Sequence, residues 1–165
     1  MRQNSAKAVA LGGVMAALAL VVMCLGGLIP VATFVCPMLC MVLLQFVCQL
    51  CGKRIGWAWY GAVGILSALL APDKEAAAVF LFLGWYPILK PYMDKWQFSL
   101  LWKLLFFNIA LAVMYWLLLS VFGLAQIAQE YAEFGLISGA IMVLLGNVTF
   151  VLLDLLLNKI KNRFA

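Results

Sequence analysis

Residues 8–29 read AVALGGVMAALALVVMCLGGLI, an apolar run of 22 residues without a single charge. A helix needs about 20 such residues to cross the hydrocarbon of a bilayer. Arg2 and Lys7 precede the run, as basic residues precede a secretory signal. A signal core, however, is only about 7–15 residues long, and Gly26-Gly27-Leu28-Ile29-Pro30 is a poor match to a small-x-small cleavage site. The run reads as a retained first span.

Five more apolar segments follow Ala8–Ile29: roughly Thr33–Leu50, Ile55–Ala71, Ala76–Leu89, Leu100–Phe122 and Leu136–Leu157. Lys53-Arg54, Pro72-Asp73-Lys74-Glu75 and Lys90-Pro91 punctuate them. Of 165 residues, 68% are hydrophobic and 10% charged, and the mean hydropathy is +1.13. A soluble domain is nearer half apolar and a quarter charged. Six spans nearly exhaust the chain and leave no room for an extramembrane domain. The expected fold is all-α, one polytopic membrane bundle of six transmembrane helices over residues 1–165.

The charges orient it. With the N-terminus in the cytoplasm, Arg2, Lys7, Lys53, Arg54, Lys90, Lys95, Lys103, Lys159, Lys161 and Arg163 fall on the inner side and only Lys74 outside. Short cytoplasmic loops carry such an excess of Lys and Arg, so both termini are expected in the cytoplasm and the chain in the plasma membrane. The net charge of +5 follows this topology and is not a nucleic-acid footprint. Trp57, Trp59, Tyr60, Trp85, Tyr86, Tyr92, Trp96 and Trp102 lie near the predicted inner interface, where amphipathic rings settle. Between Gly123 and Gly135, Leu124, Ile127, Tyr131 and Phe134 recur at helical spacing opposite Gln126, Gln129, Glu130 and Glu133. That pattern predicts a short amphipathic helix over 124–134 on the outer surface, as a cap or as a lid.

Catalytic chemistry finds little support. The chain has no histidine, the commonest general base and metal ligand, and no G-x-S-x-G or Walker A loop. No catalytic residue, metal site or cofactor is expected, and the chain reads as a non-enzyme. Cys36, Cys40, Cys48 and Cys51 share a helical arc of about 120°, but apolar surroundings disfavour thiolates and cysteine packs well as a small residue.

Ala6, Ala10, Gly13 and Ala17 form a small-residue stripe on the first span, with Gly12/Ala16 as a second pair beside it. Small residues let helices approach closely in lipid, either inside the bundle or against another protein. Asn147 and Thr149 sit near mid-membrane and must find partners in the bundle or contact a bound solute. Tyr115 and Trp116 are candidates to line an outward cavity beside Asn147. Asp73 is placed to cap the fourth span and Glu75 suits its dipole; both also stand where the mouth of a solute cavity would be. Asp154 is the one carboxylate clearly within a span, within reach of Lys103 or Lys159.

The size, the six spans, the termini and the start Ala8-Val9-Ala10-Leu11-Gly12-Gly13-Val14-Met15-Ala16-Ala17 resemble the substrate-binding (S) components of energy-coupling factor (ECF) transporters. That family carries an Ala-x-x-x-Ala-like motif on its first helix, matched here by Ala6/Ala10, Gly13/Ala17 and Gly12/Ala16, with glycine replacing alanine in two of the three. The resemblance implies a bacterial inner-membrane subunit that captures a small vitamin-like solute from outside. It also implies a coupling membrane protein and two ATPase subunits as partners. A non-catalytic membrane scaffold, similar in span number to the cell-shape membrane proteins, is the alternative. The tryptophan-rich sensory proteins are similar in their Trp85-Tyr86-Pro87 style but have five spans.

Overall fold

The structure, a computed structural model, describes residues 2–26, 32–94, 99–120 and 125–164. They form seven α-helices: α1 (Arg2–Gly26), α2 (Ala32–Cys51), α3 (Lys53–Leu70), α4 (Lys74–Leu83), α5 (Tyr86–Met93), α6 (Ser99–Ser120) and α7 (Ala125–Phe164). Among the described residues, five stretches are long and apolar enough to cross a membrane: Ala6–Gly26, Thr33–Cys51, Lys74–Met93, Ser99–Leu117 and Val143–Asn162. The protein is a multi-pass helical membrane protein. In hydrocarbon each backbone N–H and C=O must find its partner within the fold, and helices do this internally.

The third predicted segment coincides with α3, which is not among the five; its first turn carries Lys53 and Arg54. The fourth is not one short helix but two. Gly84-Trp85 forms a turn between α4 and α5, and the pair together makes a crossing of 20 residues. Trp85 stands just before α5 and Pro87 lies in its first turn, where its missing N–H costs nothing. Residues 125–134 of the one segment and 136–157 of the next lie on a single helix, α7, of 40 residues, about 60 Å long at 1.5 Å per residue. The amphipathic face read over 124–134 rests on side chains outside the described residues, as do Gly27, Lys95 and Trp96.

Helix α2 is the centre of the bundle, touching α1, α3, α4, α5 and α7. Gly52 alone separates it from α3, at φ +90°, a conformation glycine adopts without strain. Its N–H closes α2 on the Cys48 carbonyl (3.1 Å), and its own carbonyl opens α3 by accepting from Gly56 (3.0 Å). Helix α3 then lies very close to its neighbours. A Cβ at Gly56 would meet Cys48 Sγ at 2.3 Å, and one at Gly64 would meet Leu81 at 2.8 Å.

Side chains from α2 and α3 also reach the backbone of α1. Trp59 Nε1 donates to the Gly12 carbonyl (3.0 Å), Cys51 Sγ to Ala8 (3.3 Å) and Cys40 Sγ to Ala19 (3.5 Å). Trp59, read as an interface anchor, is thus buried. Cys36 and Cys40 are buried, Cys48 and Cys51 half-buried, and all five thiols are free.

The substitution Gly84→Ala tests how tight this packing is. A Cβ there would meet the Phe80 carbonyl oxygen at 2.3 Å and the Tyr60 ring at 2.9 Å, whereas one at Gly13 would meet nothing within 4 Å. Overpacking of this kind costs about 1–3 kcal/mol. Denaturant unfolding in detergent should show that loss for Gly84→Ala and none for Gly13→Ala.

Candidate functional site

Contacts sort the polar residues to two ends of the bundle. At one end Lys53 Nζ meets the Tyr92 hydroxyl (3.5 Å) and Lys161 Nζ meets Asp94 Oδ2 (3.6 Å). At the other, Thr33 Oγ1 donates to Asp73 Oδ2 (3.0 Å) and the Tyr115 hydroxyl donates to Glu75. The first is called the basic end and the second the acidic end.

The acidic end is built on the start of α4. Asp73 Oδ1 accepts the N–H groups of Glu75 and Ala76, both at 3.0 Å, the N-cap expected from the sequence. Its other oxygen takes the Thr33 hydroxyl, which ties α2 to α4, while Glu75 ties α4 to α6 through Tyr115. Lys74, the one base assigned to this side, turns back to the last carbonyls of α3, Ala68 (3.0 Å) and Leu69 (3.4 Å). Cations favour helix C-termini, which accounts for the exception.

The remaining sequence candidates lie elsewhere. Asn147 and Asn108 exchange hydrogen bonds across α7 and α6 at 2.8 and 3.1 Å, and each also donates to its own helix, at Val143 and Leu104 (2.8 Å). Asn108 is seven residues from Tyr115 along α6, about 10 Å by helical rise. Thr149 Oγ1 donates back to Leu145 and Gly146 at 2.9 Å. Trp116 is 65% exposed. Tyr115, Glu75 and Asp73 therefore form one cluster, and Asn147, Thr149 and Trp116 do not join it. Asn147 instead borders an open apolar groove of about 780 Å³ with Leu104, Val143, Leu144, Val148, Val151 and Leu152.

The basic end holds a charge cluster that sequence reasoning grasped only in part. Asp154 on α7, 5% exposed, accepts from Lys103 on α6 at 3.3 and 3.4 Å, as its position predicts. It also accepts from Lys90 and from the Tyr86 hydroxyl on α5. Asp94 pairs with Lys103, with Lys90 (3.6 Å) and with Lys161. Lys90 and Lys103, counted as cytoplasmic bases, are 1% and 2% exposed inside the bundle. The available signal was the Lys90/Asp94 spacing, one helical turn, facing an apolar neighbourhood. Three lysines meet two aspartates, Lys161 from the exposed side, so both carboxylates are paired, and the cluster locks α5, α6 and α7 together.

The first helix presents its two small-residue patterns on different sides. Gly12 is buried against α3, with Ile55 3.8 Å from where its Cβ would be, and Ala16 is half-buried. Ala6, Ala10, Gly13 and Ala17 are all exposed, centred about 130° around the helix from the buried face at 100° per residue. Among the described residues, no group of three His, Cys, Asp or Glu side chains converges to hold a metal.

Removing one partner of a buried ion pair costs about 3–5 kcal/mol because the other charge is stranded. Asp154→Leu and Lys90→Met should each destabilise strongly, and the double variant should recover more than half of the summed loss. A double-mutant cycle on unfolding free energy in detergent measures this coupling. No protein-family model, curated protein or solved structure matches the chain.

Proposed function

We propose that the protein is the membrane-embedded solute-capturing subunit of an ATP-driven importer, of the S-component type. The observation that carries this reading is the outward stripe Ala6, Ala10, Gly13 and Ala17. Of two small-residue patterns on α1, one meets α3 at Gly12, while the other is exposed among the described residues, with nothing within 4 Å of where a Gly13 Cβ would be. A lipid-facing helix gains nothing from small side chains, whereas a helix that receives another helix needs them. The stripe would dock a coupling membrane protein served by two ATPase subunits, which supply the energy this chain has no motif to harvest. The solute would enter from the acidic end, beside Asp73, Glu75 and Tyr115, with Asn147, Thr149 and Trp116 deeper or at the flank.

The proposed topology has six crossings in the plasma membrane with both termini cytoplasmic. Helix α3 is the sixth crossing: at 18 residues it is about 27 Å long, near the thickness of the hydrocarbon. It carries the chain from the basic end, at Lys53, to the acidic end, at Asp73. The excess of Lys and Arg at the basic end supports placing that end inside.

A membrane scaffold is the second reading. It is favoured by the closed Asn108–Asn147 pair, which occupies the mid-membrane amides with each other.

Affinity purification from native membranes in mild detergent separates the two. The importer reading expects a coupling membrane protein and two ATPases, lost on Gly13→Leu or Ala17→Leu while Gly13→Ala retains them. Recovery of the chain alone, or with cell-envelope proteins, would support the scaffold. Topology is checked independently with reporter fusions: fusions after Arg54 and at the C-terminus should report cytoplasm, and one after Lys74 the outside.

A further inference from the structure

At the basic end, between α5 and α6, Leu89, Tyr92, Met93, Trp102 and Phe106 enclose a groove of about 370 Å³. Trp85 supports it from behind, its ring edge-on to Phe106 with centroids 4.9 Å apart. The groove opens sideways. Trp102 is 51% exposed, and Leu105 and Ile109, which continue the same flank of α6, are exposed as well. On that flank of a membrane protein the surrounding medium is acyl chains rather than water.

The rim of the groove is cationic. Lys53 Nζ stands 3.5 Å from the Tyr92 hydroxyl and 4.7 Å from the centre of its ring, so the ammonium sits against a wall of the groove. Lys53 and Arg54 are exposed, and the first turn of α3 holds no acidic side chain. The two described carboxylates at this end, Asp94 and Asp154, are engaged by Lys90, Lys103 and Lys161. No described anion is therefore left to neutralise Lys53 and Arg54. An apolar slot open to the acyl region, edged by Lys53 with the exposed Arg54 beside it in the chain, matches an anionic phospholipid in both charge and polarity.

We infer that this groove is a binding site for an anionic phospholipid, one acyl chain lying along Leu89, Met93, Trp102 and Phe106 and the phosphate held by Lys53 and Arg54. A zwitterionic lipid fits the slot equally well but brings its own cation to the rim, so selection rests on the headgroup. The aromatic walls give the chain flat, rigid surfaces, and Met93 adapts to its path. The inference rests on the membrane fold and is independent of whether the protein is an importer subunit or a scaffold.

The test uses the full chain in phosphatidylcholine nanodiscs doped with bromine-labelled phosphatidylglycerol or bromine-labelled phosphatidylcholine of the same chains. Bromine quenches nearby tryptophan, and the Trp102 contribution is isolated as the signal missing from Trp102→Phe. A cation near an anionic headgroup strengthens attraction about fivefold. Half-quenching of Trp102 should therefore need at least about fivefold less brominated phosphatidylglycerol than phosphatidylcholine. Lys53→Gln/Arg54→Gln, both on the surface, should abolish the difference while leaving quenching by phosphatidylcholine unchanged. Leu89→Phe, which fills the slot without touching the charge, should weaken quenching by both lipids. Equal quenching by both lipids in the unaltered protein would reduce the site to ordinary annular contact. A phosphatidylglycerol preference that survives the double substitution would remove Lys53 and Arg54 from it. No quenching by either lipid would mean that something other than lipid covers the groove. Each of these three results overturns the inference.

Discussion

Asp154 brings a carboxylate into a bundle with little else to solvate it, and the placement of three helices follows from how that charge is met. In a low-dielectric interior a lone ion is costly, and partners are tolerated only when their geometry is close. Lys90, Tyr86 and Lys103 come from α5 and α6 to surround it. Lys90 stands on α5, past the turn at Gly84-Trp85. The same turn is where Tyr60 and Phe80 crowd the backbone of Gly84.

The two halves of the chain are held by different chemistry. Helices α1, α2 and α3 associate through small residues and through side chains that donate to α1 carbonyls already engaged in the helix. These contacts need little room and add few polar atoms. Helices α4 to α7 are joined by paired side chains instead: Tyr115 with Glu75, Asn108 with Asn147, and the lysine–aspartate cluster. Such pairs are each modest in lipid, often below about 1 kcal/mol for amides, but they fix which faces meet. The first half is specified by shape and the second by polarity.

The parts legible in the sequence were those governed by local composition. Apolar run lengths located the helices, and the Asp73 cap and the proximity of Asp154 to Lys103 followed from position and charge. What escaped was set by neighbours. Lys90-Pro91 reads as a stop because a base next to a proline ordinarily ends a span, and only the facing aspartates make its burial tolerable. Gly135 reads as a boundary, yet glycine is common inside membrane helices, and α7 continues through it. Periodicity revealed both small-residue pairs on α1 but not which one faces α3, because Gly12 and Gly13 are adjacent and the choice depends on where Trp59 and Ile55 lie. The outward candidates Asn147, Tyr115 and Trp116 share a plausible depth in sequence, but Asn147 pairs with Asn108 about 10 Å along α6 from Tyr115, and Trp116 is turned to the exposed side.

The length of α7 has a mechanical consequence. At about 60 Å it exceeds the roughly 30 Å hydrocarbon, and tilting within the usual range of about 0–40° cannot absorb the difference. The helix is held at Asp154 and again at Asn147, which bonds to Asn108 on α6, and from Asn147 it runs on for some 22 residues, about 33 Å, to Ala125. For a straight helix of that length, a tilt of about 5° about Asn147 carries the Ala125 end through about 3 Å. A small change of tilt where α6 holds α7 is in this way geared into a displacement of atomic size at the other end of the helix.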